Sequence, residues 1–600
     1  MCKINGFINF NYTKKQAKNI ITQMSQQTSV IPHELKIFNH KKVCLGDQAL
    51  HYTYRGQTYT IVYQGELDNL TALSLYLKKH QIQIKDKTDA EIIVKLYALL
   101  GAKMLHKIQG NFAFAIYENT HQRLFLARDQ LGIMPLFYAL NQNSLAFSAK
   151  ISALFVHPTI RPCVNLDGLR ELFGVCPART PGKTVYKNIY EIKPGEYGYW
   201  QNGKLTTKTY FKFKSQPHTD NVNTTTTKIR KMLTKAVQQH SSSQHRVGLM
   251  LSGGLDSSAI TALAAQNQTN LKTFSVDYVG NQENFKPTDF SPSRDNYYID
   301  LVAKRYKTQH NYQLLNSADL SLTLHEALMA RDYPSMADID SSLLLFCRAL
   351  KEHIDVCLSG EFADEIFCGY PWFYRQDTHQ ATTFPWAIDL TVRENTVAKH
   401  LKSKLQLKKF VTQSFNDAVA EVPLCATDTP ADRQMKIYSY LTIRWFGLNL
   451  LERGERMATR CNLQIRMPFT NLKLAQYVYN IPWTMKNHNN QEKGILRTAM
   501  QDILPKEVIN RKKCPYPKTV DPIYTELIEQ RIRALLTDEE HPVWQIVNID
   551  YVSQVLNNTT THSTRPWFGQ LMQRPQYLAF IYQIATWLVE YQVQLDLPNR

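Results

Sequence analysis

Residues 251–258 read Leu-Ser-Gly-Gly-Leu-Asp-Ser-Ser, and their setting decides the fold. The apolar run Val247-Gly248-Leu249-Met250 precedes them and Ala259-Ile260-Thr261-Ala262-Leu263 follows. That order predicts a strand, a tight loop of small residues and a helix. Two glycines let the backbone turn sharply and approach a ligand closely, and successive N–H groups at a helix start favour an anion. Ser252, Ser257 and Ser258 add hydroxyl donors, while Asp256 can hold a divalent cation against phosphates. The loop lacks the Gly-Lys-Ser/Thr ending of a Walker A loop and the spacing of a dinucleotide fingerprint.

Strands alternate with helices outward from this loop. Strands are expected at 247–251, 271–277, 310–315 and 354–358, with helices at 257–266, 295–306, 318–330 and 341–352. Such alternation predicts a parallel sheet whose ligands sit beyond the carboxyl ends of its strands. Val276 closes the second strand. The fourth runs into Ser359-Gly360-Glu361-Phe362-Ala363-Asp364-Glu365, read as a close-approach Ser-Gly followed by three carboxylates on the first turn of a helix. Asp364 then falls on the same helical face as Glu361. Two carboxylates there suit a magnesium–pyrophosphate complex, or one metal ligand and one base. Acidic capping of a helix start is the ordinary alternative; the nearby 251–258 loop favours the chemical reading. Beyond about 385 the chain reads as helical, and its aromatic stripes (438–451 and 577–591) read as core.

The first ~150 residues read as α+β. Residues 112–117 and 123–127 form an expected hairpin, Val62-Tyr63 and Leu145-Ala146-Phe147 further strands, and 67–79 and 89–101 helices, the latter capped by Thr88 or Asp89. The polar segment 215–227 marks a boundary, giving domains 1–212 and 213–600. Cys2 stands behind the initiator, and removal of Met1 would leave a thiol beside a free α-amino group, a usable base for its own side chain.

Composition excludes several classes. At 600 residues the chain exceeds one core, and 44% hydrophobic with 20% charged residues describes a globular protein. No apolar run has the length of a membrane span, and the N-terminus lacks a signal core. Ten scattered cysteines without a CxxC pair argue against a disulfide or zinc framework and for a cytoplasmic location. The net charge of +19 is spread along the chain, which reads as a cationic surface with no nucleic-acid or membrane partner.

Together these motifs resemble the glutamine-hydrolysing asparagine synthetase family; Ser252 to Ser258 matches the SGGxDS pyrophosphate loop of enzymes that split ATP into AMP and pyrophosphate. The resemblance rests on Cys2, Gly6-Phe7, Gly65-Glu66, residues 88–91, 110–114 and 128–132, and Pro135-Leu136. In the second half it rests on residues 252–258, 359–365, Gly369-Tyr370, 493–497 and 511–513. Gly360 to Trp372 and Tyr516-Pro517-Lys518 resemble the bacillus-type branch most. The resemblance implies an N-terminal-nucleophile (Ntn) hydrolase-like α+β glutaminase, an antiparallel β-sandwich with helices. A pyrophosphate-loop, adenine nucleotide α-hydrolase-like α/β domain with a helical tail would follow it. Cys2 would attack glutamine, Gln64, Gly65, Glu66, Asp89 and Lys42 would bind it, and Gly65 would supply an oxyanion N–H. Leu251, Ser252, Gly253, Gly254, Asp256, Ser257, Val276, Ser359 and Gly360 would hold ATP. Asp256 and Asp364 would serve Mg2+, Lys493 would neutralise pyrophosphate, and Glu361 would act as general base. Ser335 and Asp338 would face the acceptor, aspartate. Homodimerisation is a further family expectation.

Departures concentrate in the first half. Lys3 follows the nucleophile where the family has glycine, Gln64 replaces an asparagine, and Lys42 takes the place of an arginine, losing bidentate geometry. A weakened glutaminase, with free ammonia as nitrogen source, is therefore expected. In the second half Cys368 replaces a glycine, and Gln464 and Asn471 replace acids. Asp338 stands where some members carry an arginine, which opens another carboxylate acceptor, such as a diaminopimelate-containing wall precursor, as an alternative; the positive charge separately opens that of a pyrophosphate-loop protein that modifies tRNA.

Overall fold

A computed structural model describes residues 4–28, 35–40, 42–46, 48–241, 245–287, 292–379, 381–557 and 573–598. The chain divides into two compact units, one of residues up to 163 with 181–212, the other of 164–180 with everything from 213 onward. The short segment 164–180 thus leaves its sequence neighbours: Arg393 of the second unit donates to Gly174 O at 2.8 Å, and Arg170 donates to Leu405 O at 3.0 Å.

The first unit holds two six-stranded sheets. One runs, in spatial order, Ile189–Glu191, Phe137–Asn141, Ser144–Ser148, Asn5–Ile8, Val43–Gly46 and Phe38–His40. The other runs Lys204–Thr209, Glu196–Gln201, Arg123–Arg128, Gly110–Glu118, Gln57–Leu67 and Leu50–Tyr54. Their pairings are antiparallel. Alternation along Gly110–Glu118 sorts the two cores. Ala113 and Ala115 join Ile8, Leu45, Val62 and Phe147 in the core that draws on both sheets. Phe112, Phe114 and Ile116 face the other way, against Ile92, Leu96 and Leu73 of the helices Leu70–Lys79 and Asp89–Leu100. Burying each such large side chain contributes about 1.5–3 kcal/mol. The helix Leu70–Lys79 begins later than the expected 67, because the strand continues to Leu67, and a helix the sequence reading did not expect, Lys14–Thr28, precedes it.

The second unit is built on a five-stranded parallel sheet, ordered Gln309–Leu315, Lys272–Tyr278, Val247–Met250, Val356–Leu358 and Gln464–Arg466. Val247–Met250 is flanked by the next strand in sequence on one side and by Val356–Leu358 on the other. That change of winding direction opens a crevice beyond the carboxyl ends of these strands. The last strand escaped the sequence reading: three residues inside a helical region carry no period. The aromatic stripes are core as expected, with Tyr438, Leu441, Trp445 and Phe446 buried together and Tyr577, Phe580, Ile584 and Trp587 buried on the helix Arg574–Glu590. Among the described residues no helix is long and apolar enough to cross a membrane.

Candidate active site

The crevice of the second unit collects the predicted loop residues except Gly253, which turns the chain and does not line it. Leu251 N continues the strand by donating to Phe274 O at 2.8 Å, after which Gly253 turns with φ +66°. A Cβ on Gly253 would sit 2.7 Å from Ile299 N, so the turn tolerates glycine on two counts. Ser257 Oγ accepts from Ser252 N at 3.1 Å and lies 3.0 Å from Ser252 Oγ, folding the loop over the start of the helix Leu255–Ala265. The second strand end approaches as closely: a Cβ on Gly360 would lie 2.9 Å from Ser257 N. Leu251, Ser252, Gly254, Asp256, Ser257, Val276, Ser359 and Gly360 all line one cavity, floored by Met336, Ile339 and Phe346.

The two strand ends meet on one ammonium. Lys493 Nζ is ion-paired with Asp256 Oδ2 and lies 2.6 Å from Asp364 Oδ1, while Lys513 Nζ takes Asp364 Oδ2 at 2.5 Å. Burial by itself would raise Asp364, but the two ammoniums hold its carboxyl down to about 2. Asp256 shifts the other way: burial raises it, and Lys493 offsets only part of that. Asp256 Oδ1 is buried with no hydrogen-bond partner among the described residues. No cluster of three or more His, Cys, Asp or Glu side chains suits a metal among the described residues, so a cation here would need ligand oxygens besides these two carboxylates. Gly369 permits the arrangement, since its Cβ would fall 2.0 Å from Asp364 Oδ1 and 2.1 Å from Lys493 Cε. Gly369→Ala should therefore pry the pair apart, with an expected loss of about 1–3 kcal/mol in thermal unfolding and a parallel loss of AMP formation. Unchanged unfolding would contradict this contact.

Glu361 differs from its expected placement. Phe362 has φ +76° and the helix spans only Ala363–Phe367, so Glu361 precedes the helix and shares no face with Asp364. The left-handed residue between them turns the two carboxylates to separate tasks. Glu361 is 3.8 Å from Arg453 Nη1 with its side chain 26% exposed, more accessible than Asp256 or Asp364. Burial raises its affinity for a proton and Arg453 opposes that. Glu365 is the buried member of the trio: burial and the neighbouring Asp364 push it up to about 7, and Tyr370 OH donates to it at 2.7 Å.

Ser335 and Asp338 do not line the cavity, contrary to expectation. Each is 1% exposed. Ser335 Oγ accepts from Arg331 at 3.1 Å, and Asp338 accepts from Gln576 at 3.3 Å, its carboxyl pushed up to about 7 by burial. Ala337, at φ +49°, turns the chain so that Met336 and Ile339 face the crevice instead. Sequence reading gave no role to Arg453, Lys513 or Tyr516. Lys513 and Tyr516 lay in segments that carried the resemblance; Arg453, 4.9 Å from the Tyr516 ring, lay in a stretch read only as helical.

In the first unit Cys2 lies outside the described residues. Gln64, Gly65 and Glu66 stand opposite Ala113, Phe112 and Asn111. Gly65 has φ +136°, and a Cβ there would overlap Asn111 O at 2.0 Å. Asp89 opens its helix and reaches the same strand, accepting from Tyr63 OH at 2.9 Å and Leu67 N at 3.0 Å. Gln64 turns its amide nitrogen to Met134 Sδ at 3.4 Å. Lys42 is misplaced for its expected task. The strand that follows the N-terminus pairs Asn5 with Gly46 and Ile8 with Val43, and Asn9 N donates to Lys42 O. Lys42 therefore sits beyond the far end of that strand, about 14 Å along it from Asn5 at about 3.4 Å per residue.

A glycine-rich loop, two convergent carboxylates and two lysines at a sheet's switch point define an α/β protein with a crevice suited to a polyanionic ligand. Comparison with known proteins carries this further. Residues 228–589 match the model of the asparagine synthase family, and residues 1–211 match that of the glutamine amidotransferase domain. The chain is 36% identical over 614 residues to asparagine synthetase [glutamine-hydrolyzing] 3 of Bacillus subtilis, covering 99% of this chain and 100% of that protein. It is 23% identical over 537 residues to asparagine synthetase [glutamine-hydrolyzing] 1 of the same organism, covering 84% and 83%. The chain belongs to the asparagine synthase family.

Proposed function

We propose that this protein is an ATP-dependent asparagine synthetase that activates the side-chain carboxylate of aspartate as an acyl-AMP and releases pyrophosphate. Nitrogen comes from glutamine or ammonia. The observation that carries the reading is the meeting of Asp256 and Asp364, from two strand ends, on Lys493 beside the Ser252–Ser257 loop. Loop N–H groups and hydroxyls suit phosphates, and Val276, Ser359 and Gly360 suit the adenosine.

Mg2+ fits the residues present. Asp256 Oδ1 is a buried carboxylate oxygen without a hydrogen-bond partner among the described residues, the hard donor such an ion takes. With Asp256 and Asp364 as its protein ligands, the ion would neutralise charge on the phosphates. This chain's own residues do the rest. A free carboxylate resists attack by ammonia, whereas the acyl-AMP has a stable leaving group. Lys493 offsets the charge gathering on the departing pyrophosphate. Glu361, a carboxylate that lines the crevice and is open to it, accepts a proton from ammonia as the C–N bond forms and AMP leaves with the electron pair.

The first domain supplies ammonia by attack of Cys2 on the glutamine amide. Its altered surroundings (Lys3, Gln64 and the displaced Lys42) favour a slow glutaminase. The test compares AMP formation from ATP and aspartate with glutamine or with ammonium. Ammonium is expected to support the higher rate, and Cys2→Ala to abolish only the glutamine-dependent one. Glutamine matching ammonium would overturn the slow-glutaminase reading, and no aspartate-dependent AMP with either donor would overturn the synthetase reading. A cytoplasmic location fits the ten scattered cysteines.

A further inference from the structure

Arg453 stands beside the candidate base and has no role in the reading above. It sits on the helix Gly447–Arg460 and lines the crevice together with Glu361, yet its side chain is only 4% exposed. Most of its guanidinium is committed elsewhere. Nε pairs with Asp340 Oδ1 at 3.1 Å, and Nη2 donates to Ile339 O at 2.8 Å. Asp340 is itself fixed: it is fully buried on the first turn of the helix Asp338–His353 and accepts from Met336 N at 3.0 Å. The Tyr516 ring lies 4.9 Å from the guanidinium carbon. What remains is Nη1, 3.8 Å from Glu361 Oε1.

That separation decides what the arginine can do. It is too long for a hydrogen bond, so the lone pairs of Glu361 stay open, and short enough for a guanidinium to favour the charged form of a carboxylate. Gly454, the next residue, lets the helix come this near: a Cβ there would lie 3.0 Å from Glu361 Oε2. Compensation is needed, because burial favours the protonated form of Glu361 and a protonated acid cannot accept a proton from ammonia. Titratable groups that feel Glu361 from neighbouring elements are Cys347, Cys357, Tyr370 and Tyr516, thiols and phenols that burial keeps neutral. On the following helix, Asp364 is matched by Lys493 and Lys513, and Glu365 accepts from Tyr370 OH. We propose that Arg453, braced by Asp340, is the positioning residue of the ammonia-dependent step, holding the Glu361 carboxylate in place as the group that takes the proton. It acts through Glu361 and needs no contact with a reacting atom. The inference rests on the reading of this crevice as an ATP-cleaving site with Glu361 as its base.

The alternative is a purely structural Arg453 that neutralises Asp340 and props the crevice floor. Full-length protein, Arg453→Gln and Arg453→Lys would be compared in two assays. One is aspartate-dependent exchange between ATP and labelled pyrophosphate, which precedes the proton transfer. The other is asparagine formation with ammonium across pH, with rates expressed per free ammonia. Arg453→Gln is expected to keep exchange within about threefold of the parent while asparagine formation near neutral pH falls by about tenfold to a hundredfold, part of what a positioned base contributes. Its acid limb should move to higher pH, because Glu361 without the cation keeps its proton longer as pH rises. Arg453→Lys retains the charge and should return the limb toward that of the parent. The glutamine variant leaves Asp340 buried without its partner; Asp340→Asn combined with Arg453→Gln removes the pair together and carries the test if the single variant fails to fold. An acid limb at the parent's pH in the variants lacking the arginine, exchange lost in step with asparagine formation, or a rise confined to the KM for aspartate would each overturn the proposal. The last would make Arg453 a ligand of the acceptor. Exchange by the unsubstituted protein is scored first: its absence would remove the synthetase reading and this one with it, whereas exchange with an unmoved limb would remove only the role given to Arg453.

Discussion

Lys493→Ala is expected to reduce aspartate-dependent AMP formation by at least about a thousandfold. Loss of a single preorganised donor to developing charge costs about a hundred- to a thousandfold. Here a second penalty adds to it. Lys493 is the shared counter-ion of Asp256 and Asp364, and without it two buried carboxylates face each other with only Lys513 to offset them. Removing one member of a buried ion group typically costs about 3–5 kcal/mol, so thermal unfolding should fall as well. The check is AMP release by chromatography together with an unfolding curve. Activity within tenfold of the parent would mean that Lys493 is not the cation at the phosphates. Lys493→Arg should not rescue fully, because Gly369 leaves no space beside the lysine stem and a planar fork cannot occupy the point between two carboxylates.

The second large effect is expected at Glu361. Glu361→Gln should lower asparagine formation by about a hundred- to ten-thousandfold, the range of a positioned general base. Aspartate-dependent exchange between ATP and labelled pyrophosphate should persist, since activation precedes the proton transfer. The pH profile adds a sign. Burial raises the proton affinity of Glu361, and a base must be ionised, so the rate with ammonium should fall as pH drops through that raised value. The acid limb therefore belongs above the ordinary glutamate range of about 4.3. With rates expressed per free ammonia, the part of that limb due to Glu361 should be lost in the glutamine variant. An unchanged acid limb in Glu361→Gln would assign the limb to another residue, with the buried Glu365, held near 7, the first candidate.

The tests follow from features of unequal legibility. Ser252 to Ser258 could be read as a strand–loop–helix phosphate site because local chemistry dictates it: glycines where the backbone must turn, small hydroxyls where donors are needed, an apolar run on each side. The hairpin of 112–117 and 123–127 was legible for a similar reason, two β-like apolar runs around a short polar turn, while which face meets helices and which meets the other sheet appeared only in the structure. Errors arose where one residue in a left-handed conformation redirects the chain. Phe362 removed Glu361 from the helix, and Ala337 buried Ser335 and Asp338 while turning Met336 and Ile339 inward. Neither is a glycine, so composition carries no sign of the turn. Lys42 failed differently: the pairing of Asn5 with Gly46 sets which end of the strand it occupies, and register is a property of two segments that sequence inspection treats separately.

Local sequence, then, determined the α+β and α/β halves, the pyrophosphate loop, and Asp256, Glu361, Asp364 and Lys493 among the groups that meet in the second domain's crevice. Tertiary structure alone decided which groups share a partner: that Lys493 joins two strand ends, that Lys513 shares Asp364, and that Arg453 reaches Glu361. The reason is physical. A turn or a strand is specified by neighbours a few residues away, whereas ion pairs spanning 92 to 237 positions exist only once the sheet has ordered its strands and brought their ends together.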